Sequence, residues 1–195
     1  MSGKVKIRDL ENFKDKMEKS LGVAQIDEFL ESCAKELTAR LLAKVIRRTP
    51  VGQKPKLEGA KFAKFEGKSG KKKSFLTAEG ARLEQYWNGY IGGNLRRGWT
   101  NGQNQSASAY AQSLKVHHVG NAYVVEVVNP VEYASYVEYG HRQEPGRFVP
   151  ALGKRLKSGW VEGKFMLTIS ADEIRADAPR VLEQKLQRKL KEVFR

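Results

Sequence analysis

The chain has 195 residues, with 36 Lys and Arg against 22 Asp and Glu, a formal charge of +14 and 40% hydrophobic residues. That length suits one domain with a buried core, and the long stretches of apolar periodicity exclude wholesale disorder. No apolar run approaches the roughly 18–20 residues of a membrane span, the start has no apolar segment of the signal-peptide kind, and the lone Cys33 excludes an intramolecular disulfide or a multi-cysteine zinc site. The expectation is a soluble protein made in a reducing compartment. The charge raises the prior for a polyanionic partner such as nucleic acid, though its placement counts for more than its sum.

Leu10, Phe13, Met17 and Leu21 recur at helical spacing, with Asp9 as a candidate N-cap and Gly22 as a stop. A longer helix is predicted over 24–48. Its apolar stripe is Ile26, Phe29, Leu30, Cys33, Leu37, Leu41 and Val45, and Pro50 ends it. Asp27, Glu28 and Glu31 lie early and Arg40, Lys44, Arg47 and Arg48 lie late, as the helix dipole favours.

Residues 53–92 read as an exposed, mobile excursion. Between Gln53 and Ser74, eight lysines face two glutamates, with Gly59, Gly67 and Gly70 interspersed. A short helical piece is expected around Ala81, Leu83, Tyr86 and Trp87, broken at Gly92-Gly93. The middle of the chain is β. Strands over 113–119 and 122–129 flank Gly120-Asn121, a hairpin turn pair. A short helix over 131–139 closes at Gly140, 153–163 reads as loop, and 164–169 reads as another strand. Ser170 is expected to cap a C-terminal helical region whose main helix Pro179 opens or kinks, with Val181, Leu182, Leu186, Leu190 and Val193 on one face. The fold class is α+β, with long N-terminal helices and a C-terminal helix packed on a small antiparallel sheet, plus a basic insertion loop. The whole of 1–195 reads as a single domain, with 53–92 a Lys/Gly-rich insertion.

No catalytic constellation stands out. His117 and His118 are neighbours on a predicted strand, so they point to opposite faces and cannot share one metal. Glu126, Glu132, Glu138 and Glu144 match no metal motif, and Cys33 on an apolar stripe reads as a buried, inert thiol. No metal, cofactor or enzymatic activity is expected. Two segments are denser in interaction chemistry. One is Gly93-Asn94-Leu95-Arg96-Arg97-Gly98-Trp99, and the other runs from Asn129 to His141 with Tyr133, Tyr136 and Tyr139 at helical spacing. That tyrosine stripe has three readings: packing of the helix on the sheet, a protein–protein contact, or base stacking on a single strand.

In these segments the chain resembles the head–tail joining, or tail-completion, proteins of long-tailed phages and defective prophages. The resemblance rests on Thr49-Pro50-Val51-Gly52, on Gly93-Asn94-Leu95-Arg96-Arg97-Gly98-Trp99, and on Asn129 through Tyr133-Ala134-Ser135-Tyr136-Val137-Glu138-Tyr139-Gly140, with Trp160 to Leu167 beyond. Residues 53–92 interrupt it, where such proteins have a short connection. The resemblance implies a structural subunit of a neck or head-proximal tail ring, in a virion, passing through the host cytoplasm during assembly. Its implied partners are further copies of itself and other neck and tail proteins: connector, tail tube or terminator. Candidate contact residues are Leu95, Arg96, Arg97, Trp99, Tyr133, Tyr136, Glu138, Tyr139 and His141. Lys68, Lys71, Lys72 and Lys73 are candidates for contact with DNA or an acidic partner. No membrane partner is expected. The alternative is a basic nucleic-acid-binding module unrelated to virions, driven by the net charge.

Overall fold

The computed structural model describes residues 2–4, 23–54, 62–66 and 72–193. The helix expected around Leu10–Leu21 lies outside them. The chain divides into two compact units. The first comprises Met1–Pro50, Asn94–Tyr139 and Gly163–Arg195, and the second comprises Val51–Gly93 and Gly140–Glu162.

The first unit is built on helix α1, Val23–Arg48, about 39 Å long at 1.5 Å per residue. Its predicted stripe is buried in full, from Ile26 to Val45, and Ala34 and Leu42 join it. That face packs on helix α4 (Ala107–Ser113), on helix α6 (Met166–Val193) and on strand β5 (Ala122–Val128). Each large side chain so buried contributes on the order of 1.5–3 kcal/mol from the water it sheds. The sheet is antiparallel, in the order β1 (Ser2–Lys4), β5, β4 (Val116–Val119). Along β5 the alternating Tyr123, Val125 and Val127 enter the core shared with α1. The hairpin turn is Gly120-Asn121 as expected, because Val119 pairs with Ala122. Gly120 has φ 59°, the positive value that a two-residue turn of type II′ requires at its first position.

Two expectations fail in this unit. Residues 164–169 are not a strand; α6 begins at Met166. Ser170 caps nothing, since it lies inside α6 with its hydroxyl donating to the Met166 carbonyl at 2.6 Å. A short run such as Phe165-Met166-Leu167 carries no period that tells a strand from a buried helix start. The helix does not open at Pro179 but continues through it, and the proline, having no N–H, forgoes one backbone bond there. Helix α4 was not foreseen, because Ala-Ser-Ala-Tyr-Ala-Gln-Ser has almost no apolar contrast. Ser106 caps it by accepting from the Ala109 amide at 3.1 Å. Polar contacts fasten α1 to α6. Lys44 reaches Glu173 at 2.9 Å, Arg48 reaches Glu173 and Ser170 at 2.7 Å each, and Lys185 reaches Glu36 at 3.1 Å.

In the second unit, 53–92 holds more regular structure than a loop. The expected helical piece is helix α2, Ala78–Tyr86, with Thr77 as N-cap. Before it, strands β2 (Phe62–Glu66) and β3 (Lys72–Leu76) pair antiparallel, with Phe62 opposite Leu76. The lysine density masked that hairpin in the sequence. Residues 140–162 supply β6 (Gly140–Arg142), β7 (Phe148–Val149), β8 (Lys154–Arg155) and β9 (Trp160–Glu162), so the region expected as loop over 153–163 contains β8 and β9. Trp87 ties the two segments together by donating its indole N–H to the Ala151 carbonyl at 2.6 Å.

Candidate functional site

Residues of the three motifs, Thr49, Arg96 with Trp99, and Asn129 with Glu138, converge in the first unit. Thr49 follows α1 and is fully buried; its hydroxyl donates to the Val45 carbonyl at 2.7 Å. The same oxygen accepts the Trp99 indole N–H at 2.8 Å, and Trp99 is also fully buried. The Thr49 carbonyl accepts the Arg96 guanidinium twice, at 3.1 Å from Nε and 2.7 Å from Nη2. A carbonyl at a helix C-terminus has no intrahelical partner, and a cation there also meets the negative end of the dipole. Trp99 and Arg96 come from helix α3, Asn94–Gly98, and the turn after it.

Asn129 joins the second motif to the third. It is fully buried, donates to the Leu95 carbonyl at 2.9 Å and accepts the Val131 amide at 3.2 Å. Gly98 makes room for it, since a Cβ there would stand 2.2 Å from Asn129 Oδ1 and 2.9 Å from Val131 Cγ2. Helix α5, Ala134–Tyr139, follows. It is shorter than the predicted 131–139 because its first residues form a turn.

Glu138 on α5 is fully buried. Its Oε2 accepts the Leu167 amide at 2.9 Å, and its Oε1 accepts the Thr168 amide at 2.9 Å and the Thr168 hydroxyl at 2.7 Å. The carboxylate thus caps α6 from another element, at the helix end where negative charge is favoured. Backbone bonds from Lys164 to Val137 (2.8 Å) and from Phe165 to Glu138 (3.0 Å) hold the entry, with Phe165 at φ 46°.

The tyrosine stripe faces outward. Tyr133, Tyr136 and Tyr139 are 46%, 58% and 56% exposed, while Ala134 and Glu138 are the residues α5 buries. The stripe therefore does not pack the helix on the sheet. Phe165 and Ile169, at the start of α6, are each 43% exposed and extend the apolar character around the helix that Glu138 caps. The contact candidates thus separate. Leu95, Trp99 and Glu138 are interior, Arg96 is engaged by Thr49, and Arg97 is exposed beside Asn94. His141 lies in β6, in the second unit. Lys68 and Lys71 lie outside the described residues, and Lys72 and Lys73 fall on β3 opposite Glu66 and Phe65. Sequence reading passed over Thr49, Gly98 and Asn129 as partners. The available signal was a glycine and a tryptophan flanking two arginines.

The other chemically suggestive residues are dispersed. His118 sits on β4 with Nε2 3.1 Å from Glu31 and its ring 4.5 Å from Tyr123. Burial pushes the Cys33 thiol up to about 12, which keeps it protonated and unreactive. Among the described residues no group of three His, Cys, Asp or Glu could hold a metal ion, and no helix is long and apolar enough to cross a membrane.

A long helix clasped to a small antiparallel sheet and to a capped C-terminal helix, with the motif residues at their junctions, defines a scaffold that presents a surface. The chain belongs to the HK97-gp10-like family, described as "Bacteriophage HK97-gp10, putative tail-component", which it matches over residues 11–140. No curated protein and no solved structure matches it. Its class is therefore that of the structural tail components of phages.

Proposed function

We propose that the chain is a structural subunit of the neck or head-proximal tail ring of a phage or phage-tail-like particle, completing the tail or joining it to the head without catalysis. The observation that carries this reading is the exposure of Tyr133, Tyr136 and Tyr139 along α5, with Phe165 and Ile169 also exposed at the start of α6, the helix that Glu138 of α5 caps. Tyrosines favour protein interfaces because each supplies a large apolar surface and a polar tip. The occupant of this face is a second copy, in the heterologous contact by which identical subunits close a ring. Thr49, Arg96, Trp99, Asn129 and Glu138 have their polar groups turned to backbone and to one another, and Glu138 fixes α5 on the start of α6. Their engagement supports a scaffold rather than a reaction centre. Arg97 and His141 complete the proposed contacts, and the lysines at 68 and 71–73 are assigned to DNA or an acidic partner. The whole chain, with 53–92 as an insertion, acts as one subunit in the virion after assembly in the host cytoplasm.

The test is genetic and structural. Particles made without the protein should carry tails that are unfinished or unattached, and cryo-electron microscopy of intact particles should place a ring of copies at the neck with the tyrosines between subunits. Normal assembly and attachment in its absence would reject the proposal.

A further inference from the structure

The second unit carries a disproportionate share of the charge. Its two segments hold fourteen Lys and Arg against six Asp and Glu, a net +8 of the chain's +14. Residues 140–162 form one two-stranded ribbon. Gly140, His141 and Arg142 pair with Glu162, Val161 and Trp160, and Phe148 and Val149 pair with Arg155 and Lys154. Backbone bonds from Gln143 to Gly159 (3.0 Å), Gly146 to Leu156 (2.8 Å) and Leu156 to Arg147 (2.9 Å) bridge the two ladders. The Trp87 indole, bonded to Ala151, anchors the tip.

This ribbon bears Arg142, Arg147, Lys154, Arg155 and Lys157, all exposed, against Glu144 and Glu162. Arg142, Lys154 and Lys157 make no ion pair among the described residues. Residues directly opposite on an antiparallel pair project to the same face. The register therefore sets Arg142 beside Trp160, which is 49% exposed, and Arg155 beside Phe148, which is 48% exposed. Twice along this anchored ribbon, then, an arginine stands opposite an exposed aromatic residue in the register, with the Arg155 guanidinium donating to the Gly146 carbonyl at 2.7 Å. Cations that meet phosphates, interleaved with open aromatic rings that accept stacked bases, are the elements of a nucleic-acid-binding surface. A two-stranded ribbon also fits the major groove of a duplex.

We propose that the ribbon 140–162 binds the phosphate backbone of DNA. The binding needs only the ribbon and does not depend on the ring assignment above. Its test is fluorescence anisotropy with the full-length protein on a duplex and on an oligothymidine of equal length, across a salt series. If all five cations engage phosphates, log affinity falls against log salt with a slope of about −4.5 on duplex or about −3.5 on single strand.

Replacing the five by glutamine (Arg142→Gln, Arg147→Gln, Lys154→Gln, Arg155→Gln, Lys157→Gln) should lower affinity at least tenfold and flatten the slope. A control discharged equally off the ribbon (Lys115→Gln, Arg175→Gln, Arg180→Gln, Arg188→Gln, Lys191→Gln) should retain both. The triple variant Arg142→Gln, Lys154→Gln, Lys157→Gln serves if the quintuple variant does not fold. Phe148→Ala with Trp160→Ala then separates the sources, since it should weaken single-strand binding alone if bases stack and spare duplex binding. Equal loss in the ribbon variant and the control, or salt-independent binding, would overturn the proposal. So would a ribbon variant that binds DNA normally yet fails to enter particles, because the ribbon would then be a protein contact.

Discussion

Glu138 and Thr168 are joined twice through one carboxylate oxygen, which accepts the Thr168 amide at 2.9 Å and its hydroxyl at 2.7 Å. The glutamate of the tyrosine motif thereby sets where the C-terminal helix begins. Glu138→Ala removes the cap and leaves the Leu167 and Thr168 donors unpaired. With hydrogen bonds to a charged group at about 1.5–3 kcal/mol, the expected loss is about 2–4 kcal/mol in urea unfolding. Glu132→Ala, at an exposed position nearby, should change stability by less than about 0.5 kcal/mol.

The Gly98–Asn129 approach makes a second test. Gly98→Ala puts a methyl 2.2 Å from Asn129 Oδ1, so backbone or side chain must shift, and overpacking of this kind costs about 1–3 kcal/mol. Asn129→Ala orphans the Leu95 carbonyl and is destabilising by itself. The double variant should lose less than the sum of the two, because truncating Asn129 relieves the clash. Additive losses would mean that the two residues do not share the site.

Thr49 and Trp99 couple through one buried bond. Thr49→Val keeps the shape but strips the acceptor from the indole N–H. A buried donor left unpaired costs about 1–3 kcal/mol. Adding Trp99→Phe removes that donor, so part of the Thr49→Val penalty should vanish when the variants are compared by chemical denaturation.

The clasp between α1 and α6 responds to pH. Hydrogen bonds from Lys44, then Arg48, hold the Glu173 carboxyl below its ordinary range, and the bond to Glu173 holds the Lys44 ammonium above its own. A depressed carboxyl gives stability that is present above its unfolded value, near pH 4.5, and lost as pH falls through the folded one. Wild type should therefore be more stable than Glu173→Gln at pH 7. The difference in melting temperature should shrink in titrations taken below about pH 4.

The tyrosine face predicts a dissociation of stability from assembly. Tyr133→Ser, Tyr136→Ser and Tyr139→Ser alter exposed positions, so the melting temperature of the isolated chain should stay close to wild type. Incorporation into particles should fall, as read by immunoblotting of purified virions. Unchanged incorporation would remove the face from the proposed interface.

What the sequence determined was whatever a local period can write. The stripe from Ile26 to Val45 placed α1, Gly120-Asn121 placed the hairpin, and the order of Thr49-Pro50, Leu95-Arg96 and the tyrosine motif pointed to the family. A period reports which face of an element is apolar and nothing about what meets it. Tertiary structure decided the rest through contacts distant in the chain. Glu138 turned the run after Phe165 into a helix start rather than a strand. Thr49 and Asn129 drew Trp99 and Leu95 inward, although both sit in an arginine-rich segment that reads as surface. The burial of Ala134 and Glu138 left the tyrosines facing out. The register of 140–162 set arginines beside aromatics, a pairing that exists only once two strands align. The charge divides in the same way: composition gave its sum, and the pairing of strands decided where a cation finds an aromatic neighbour.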